Sequence, residues 1–315
     1  MNTIVFQVTK KCDQACPHCF FNSLPNEEGE LTLLQIKEAL DNLKSAGIKK
    51  ISKFIFTGGE PTVWRSLREA IELTKRYYPE SKIRIDTNGL NFFKNEKLFS
   101  SLKVDLYDLS IDPFHNQGIV SKNNIYKEVY INNKGRSKLL DLFLKNQSKY
   151  KFGLYVRWTS NRHDGKLFSK FCICYKNKNV IIEKKLVTAT GRAKKLPFNN
   201  LNEGYLIKER PGNFQCLMGD SLILTVGAYW HACYHPVSLT KLCKVGSKTF
   251  SGKLKKFSSC YLYKNMPKRG LLKILEKLKK ENPKLTGKID EVLNKKYWYR
   301  CEPCEDLCSM KVFKK

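Results

Sequence analysis

The spacing of apolar positions switches repeatedly between two periods. Ile4-Val5-Phe6-Gln7-Val8 is a short apolar run of strand type. Thr32 then precedes a helical pattern in which Leu33, Ile36, Leu40 and Leu43 share one face, with Gly47 placed to end it. Lys53 to Thr57 reads as a strand stopped by Gly58-Gly59-Glu60-Pro61, and Ser66 to Tyr78 as a second amphipathic helix stopped by Pro79. Ile83 to Asp86 is the next strand, closed by Thr87-Asn88-Gly89, and a short helix follows near Asn95 to Leu102. Val104 to Asp112 alternates with period two; a polar helix ends in Leu139 to Leu144; Phe152 to Trp158 and Val180 to Val187 read as strands. Cys172 and Cys174 are expected on a strand, facing the same way as structural thiols. Strand and helix at this cadence predict parallel βαβ units and an α/β fold. In such folds functional groups gather at the C-terminal ends of the strands.

From about Lys208 the character changes. Glycines and cysteines lie among short strand-like runs such as Ser221 to Val226, and a lysine-rich helix from Gly270 to Glu281 carries Leu271, Ile274, Leu275 and Leu278 on one face. A boundary is expected between residues 200 and 212.

Composition sharpens this picture only in part. With 315 residues, 42% of them hydrophobic and 12% aromatic, the chain can bury a core. No secretory signal opens it and no run is long and apolar enough to span a membrane, so a cytoplasmic location is expected. The 12 cysteines are then reduced thiols or metal ligands rather than disulfides. The formal charge of +29 points to a polyanion such as RNA, or to an acidic substrate. Lysine dominates that excess beside many asparagines and isoleucines, a pattern that AT-rich coding also gives; both readings stay open.

The chemistry concentrates behind the first strand, in Cys12-Asp13-Gln14-Ala15-Cys16-Pro17-His18-Cys19. Three thiolates at this spacing suit one metal centre, and three rather than four leave one iron of a [4Fe–4S] cube without a protein ligand. A zinc knuckle completed by His18 or a distant cysteine, or plain thiols, are the alternatives. The spacing resembles that of the radical S-adenosylmethionine (radical SAM) superfamily. Gly58-Gly59-Glu60-Pro61 is similar to that family's GGEP motif, Thr87-Asn88-Gly89 to its S/T-x-G strand ending, and Ser110 with Asp112 to its ribose-contacting strand.

The resemblance implies a partial (β/α)6 TIM-type barrel over residues 1–205 with a small cysteine-rich extension over 206–315. It implies that Cys12, Cys16 and Cys19 hold a [4Fe–4S] cluster, and that Gly58, Gly59, Glu60, Thr87, Asn88, Ser110, Asp112 and Arg157 orient SAM. Reduction of the cluster would cleave SAM to a 5′-deoxyadenosyl radical that takes a hydrogen atom from substrate. His115 and Asp112 are the expected catalytic side chains, and Gly191-Arg192-Ala193 resembles a stretch near the SAM carboxylate or barrel rim. Cys216, Cys233, Cys301 and Cys304 resemble the ligands of a SPASM or twitch extension holding a second, auxiliary [4Fe–4S] cluster; a structural zinc site is the alternative. The implied partners are a peptide or small-molecule substrate and an electron donor such as flavodoxin or ferredoxin. Two other functions stay open: a radical SAM enzyme that modifies RNA, and a non-enzymatic, zinc-stapled basic binding module.

Overall fold

A computed structural model describes residues 3–112, 114–115, 133–160, 165–186, 192, 221–231, 241–258 and 271–294. The strands are β1 (Thr3–Thr9), β2 (Lys53–Gly58), β3 (Lys82–Thr87), β4 (Leu106–Ser110), β5 (Gly153–Ser160) and β6 (Ile181–Leu186), then β7 (Ser221–Leu224), β8 (Tyr229–His231) and β9 (Lys241–Lys244). They form one sheet in the order β6-β5-β4-β3-β2-β1-β7-β8-β9. The first six are parallel and adjacent in chain order, joined by helices: the open half-barrel expected of repeated right-handed βαβ units. Among the described strands β6 does not return to β1, so the barrel stays partial. β7 pairs in parallel with the outer edge of β1, and β8 and β9 continue from it antiparallel.

The helices are α1 (Leu33–Ser45), α2 (Leu67–Tyr77), α3 (Leu90–Lys94), α4 (Leu98–Ser101), α5 (Asn133–Tyr150), α6 (Gly165–Cys174), α7 (Phe250–Ser258), α8 (Leu271–Glu281) and α9 (Thr286–Asn294). Thr32 and Gln35 make a reciprocal capping box that fixes the start of α1. No helix among the described residues is long and apolar enough to cross a membrane.

Strand alternation decides what faces where. Ile4, Phe6, Phe54, Phe56, Ile83, Ile85, Tyr107, Leu109, Val156 and Trp158 point outward and are buried beneath the helices. The opposite parity carries Lys53, Arg84, Asp86, Asp108, Ser110, Arg157 and Glu183 into the barrel. A fully covered parallel sheet reads as continuous apolar sequence; here the inner face surrounds a cavity, and the strands alternate.

Cys172 and Cys174 lie on the helix α6, not on a strand. Phe168, Phe171 and Tyr175 recur at helical spacing, and the two phenylalanine rings pack on Trp158 at 5.8 and 4.9 Å between centroids. That apolar row, one helical turn per contact, overrides the local β propensity of Phe171 to Cys174.

Candidate active site

The loop after β1 leaves the sheet at Thr9 and returns at Leu31. Its neck is closed by hydrogen bonds from Lys10 N to Gly29 O (2.9 Å), Cys12 N to Leu24 O (3.1 Å) and Leu31 N to Val8 O (2.9 Å). Cys12, Cys16 and Cys19 are free thiols on this loop, and all three line a cavity of about 630 Å³ at the C-terminal ends of the strands. Cys16 Sγ faces Gln14 Oε1 at 3.3 Å. Burial pushes the Cys12 thiol far up its range, with the Asp13 and Glu60 carboxylates adding to it, and burial likewise raises Cys16. Neutral thiols gathered in an apolar setting become thiolates once a metal supplies the positive charge.

The glycine pair has a specific steric cause. Gly59 N donates to Thr9 O at 2.7 Å and Glu60 N to Lys11 O at 2.9 Å, so the end of β2 presses against the start of the cysteine loop. A Cβ on Gly59 would lie 2.1 Å from Lys11 O, and one on Gly58, whose φ is +140°, 2.3 Å from Thr9 O. The side-chain space of both residues is thus filled by the backbone of the cysteine loop.

Glu60 is 1% exposed and still borders the cavity. Its Oε1 accepts from Thr62 N (3.2 Å), Thr62 Oγ1 (2.6 Å) and Thr87 Oγ1 (2.8 Å); Oε2 accepts from Asn88 N at 2.8 Å. Among the described residues Oε2 has that single donor. Burial, with Asp13 nearby, raises the Glu60 carboxyl to about 7. Asn88 Nδ2 donates to Asp13 Oδ1 at 2.7 Å and so ties the β3 end to the cysteine loop.

Beyond β4, Asp112 is fully buried and does not border the cavity. Its Oδ1 accepts from Phe114 N (3.0 Å) and His115 N (3.2 Å), and its Oδ2 from Thr159 N (3.2 Å). His115 Nδ1 lies 2.9 Å from Asp112 Oδ1, a close polar contact rather than an aligned hydrogen bond, and His18 Nε2 lies 4.0 Å from Oδ2. Burial works to raise Asp112, but His115, then His18 and the donors from His115 outweigh it, and its pKa falls to about 2. Burial holds His18 neutral with a pKa of about 4. The structure therefore sets Asp112 behind His115 as its support, while His115, Ser110 and Arg157 reach the cavity wall.

Deeper in the barrel Arg84 donates to Asp86 (2.6 Å) and to Asp108, and Arg157 contacts Asp108 (2.5 Å) and Asp86 (3.4 Å). This four-membered ion network is absent from the sequence expectations apart from Arg157. Its signal was the opposite-parity charges within β3 and β4. Cys216, Cys233, Cys301 and Cys304 lie outside the described residues, and Gly191 and Ala193 do also.

Residues 6–145 match the model of the radical SAM superfamily. This stretch carries a radical SAM domain. Over 117 residues it is 31% identical to an S-adenosylmethionine-dependent nucleotide dehydratase of Selenomonas ruminantium, a match covering 36% of this chain and 40% of that protein. Over 120 residues it is 28% identical to the putative peptide biosynthesis protein YydG of Bacillus subtilis (strain 168), covering 36% of each. The chain thus spans about two fifths of the length of these curated relatives. Native anSMEcpe with bound AdoMet and Cp18Cys peptide superposes over 98% of this chain and 95% of that one, with a TM-score of 0.56 at 12% identity, a likeness of fold.

The superfamily's cofactors are a [4Fe–4S] cluster and SAM, and the donor set fits them. Cys12, Cys16 and Cys19 are free thiols on one loop and line one cavity, the donor set of a centre that takes three protein thiolates. Asp13 Oδ2, Gln14 Nε2 and His18 Nδ1 are buried without hydrogen-bond partners among the described residues, as expected beside a site that a polar ligand completes.

Proposed function

We propose that this chain is a radical SAM enzyme that removes a hydrogen atom from a peptide substrate. One observation carries the reading: the three thiols and the β2, β3 and β4 strand-end motifs border a single cavity. When bound, the cluster supplies the electron that cleaves SAM to methionine and a 5′-deoxyadenosyl radical. Cys12, Cys16 and Cys19 ligate it. Glu60, through Oε2, accepts from the SAM ammonium in a charge-assisted hydrogen bond, while Thr87 and Asn88 hold that carboxylate in place. Gly58 and Gly59 seat the loop, Ser110 contacts the ribose side, and Arg157 offers its guanidinium to the SAM carboxylate from the cavity wall. His115, backed by Asp112, moves a proton at the substrate.

A peptide is favoured by the likeness to anSMEcpe with its bound peptide and by the similarity to the putative peptide biosynthesis protein YydG. A nucleotide-type small molecule is the second reading, favoured by the similarity to the nucleotide dehydratase. An acidic flavodoxin- or ferredoxin-type donor suits a chain of net charge +29; the same charge is the whole case for RNA as a partner. Purified and reconstituted without oxygen, the protein is expected to be brown and, with dithionite, to convert SAM to 5′-deoxyadenosine. Cys16→Ala is expected to abolish that conversion. A colourless, zinc-loaded protein under the same conditions would overturn the reading.

A further inference from the structure

Arg192 reaches the cysteine loop from a segment far along the chain. Its Nε donates to Cys16 O at 2.9 Å, and its backbone N–H donates to Cys19 O at 3.0 Å. Two of the three cluster cysteines are therefore gripped through their carbonyls by one residue that follows β6. Arg192 is not among the residues that line the cavity. Its two terminal guanidinium nitrogens are buried and have no hydrogen-bond partner among the described residues. A guanidinium does not lose its proton in a protein, so this is a fixed positive charge in a poorly solvated place.

We propose that Arg192 is a positioning residue for the metal centre: it fixes the Cys16–Cys19 arm of the loop and supplies a buried cation that favours the reduced cluster. This rests on the cluster-binding reading above. Reduction takes one electron from the donor, breaks no bond, and makes the cluster more negative by one charge. A fixed cation beside a thiolate ligand lowers the free energy of that state relative to the oxidised one, and charge and hydrogen bonding around the ligands are established levers on cluster potential. Lysine keeps the charge but lacks the planar fork that binds a carbonyl in a set direction.

The test compares wild type, Arg192→Met and Arg192→Lys, reconstituted without oxygen and titrated potentiometrically against dithionite. The signal followed is the reduced-cluster electron paramagnetic resonance that changes when SAM is added, which separates this centre from any other. Arg192→Met is expected to shift the midpoint to more negative potential and to lose at least half of the SAM-responsive signal. Arg192→Lys is expected to keep a midpoint near wild type while still losing signal. Unchanged midpoint and retention in Arg192→Met would overturn the inference. Should Arg192→Met fail to fold, undiminished retention in Arg192→Lys overturns it and diminished retention supports it. Absence of any SAM-responsive signal in the wild-type protein overturns the cluster reading itself, and this inference with it.

Discussion

Gly59 shows how one absent side chain holds the site together. A methyl group there meets Lys11 O, a backbone atom that cannot swing aside, at 2.1 Å. Gly59→Ala is therefore expected to part β2 from the cysteine loop at a cost of about 3 kcal/mol, read as a melting temperature lower by roughly 6–12 °C together with reduced iron uptake. Gly252→Ala on α7, with nothing within 4 Å of the added carbon, is the control and should be neutral or slightly stabilising. Equal melting of the two variants would refute the steric account. His18 gives a prediction of opposite kind. Its pKa is 6.5 when unfolded and about 4 when folded, so between those values the unfolded chain binds more protons. The stability His18 contributes is present above pH 6.5 and is lost as pH falls toward 4, by up to about 3 kcal/mol. Glu60, raised to about 7, works in the reverse direction but is common to both proteins. In metal-free protein, His18→Phe should thus gain on wild type between pH 7 and pH 4.5 in denaturant unfolding. Parallel pH curves would exclude the effect.

At the scale of elements, the strands β1 to β5 and the helices α1, α2 and α8 are legible in the sequence because their apolar period is unambiguous. The period of β4, with Tyr107 and Leu109 outward and Asp108 and Ser110 inward, also encodes that the barrel holds a polar interior. Three things were harder to read. Phe168, Phe171 and Tyr175 lie in a stretch whose local composition suits a strand, and only packing against Trp158 selects the helix. Glu60 was legible as a ligand-facing acid, but its four donors come from Thr62, Thr87 and Asn88, whose convergence depends on strand register. It is a structural hub as well as a site residue. Arg192 was legible only as part of a motif-like stretch; nothing local signals that it grips carbonyls 173 and 176 positions earlier in the chain. Period-two and period-3.6 patterns report which face a residue takes, whereas contacts across the chain depend on how faces are brought together.

At the scale of the whole molecule, the sheet runs past the six-stranded half-barrel. Leu222, Leu224 and Trp230 are fully buried, and Trp230 packs on Phe6 of β1 (6.3 Å) and Phe250 of α7 (5.4 Å). The described C-terminal strands thus share the core that supports the cysteine loop. In the sequence Cys216 precedes β7 and Cys233 follows β8. We propose that these two with Cys301 and Cys304 hold an auxiliary [4Fe–4S] cluster; metal–thiolate bonds would offset the closure entropy of the long intervening segment, which grows only slowly with length. A variant lacking Cys12, Cys16 and Cys19 should then still hold about four irons per chain. Removing Cys216 and Cys301 as well should bring iron to background. About one zinc in the triple variant, without iron, would mean a structural zinc site in the C-terminal part. If the triple variant holds neither metal, these four cysteines are thiols only, and the C-terminal part serves to buttress β1.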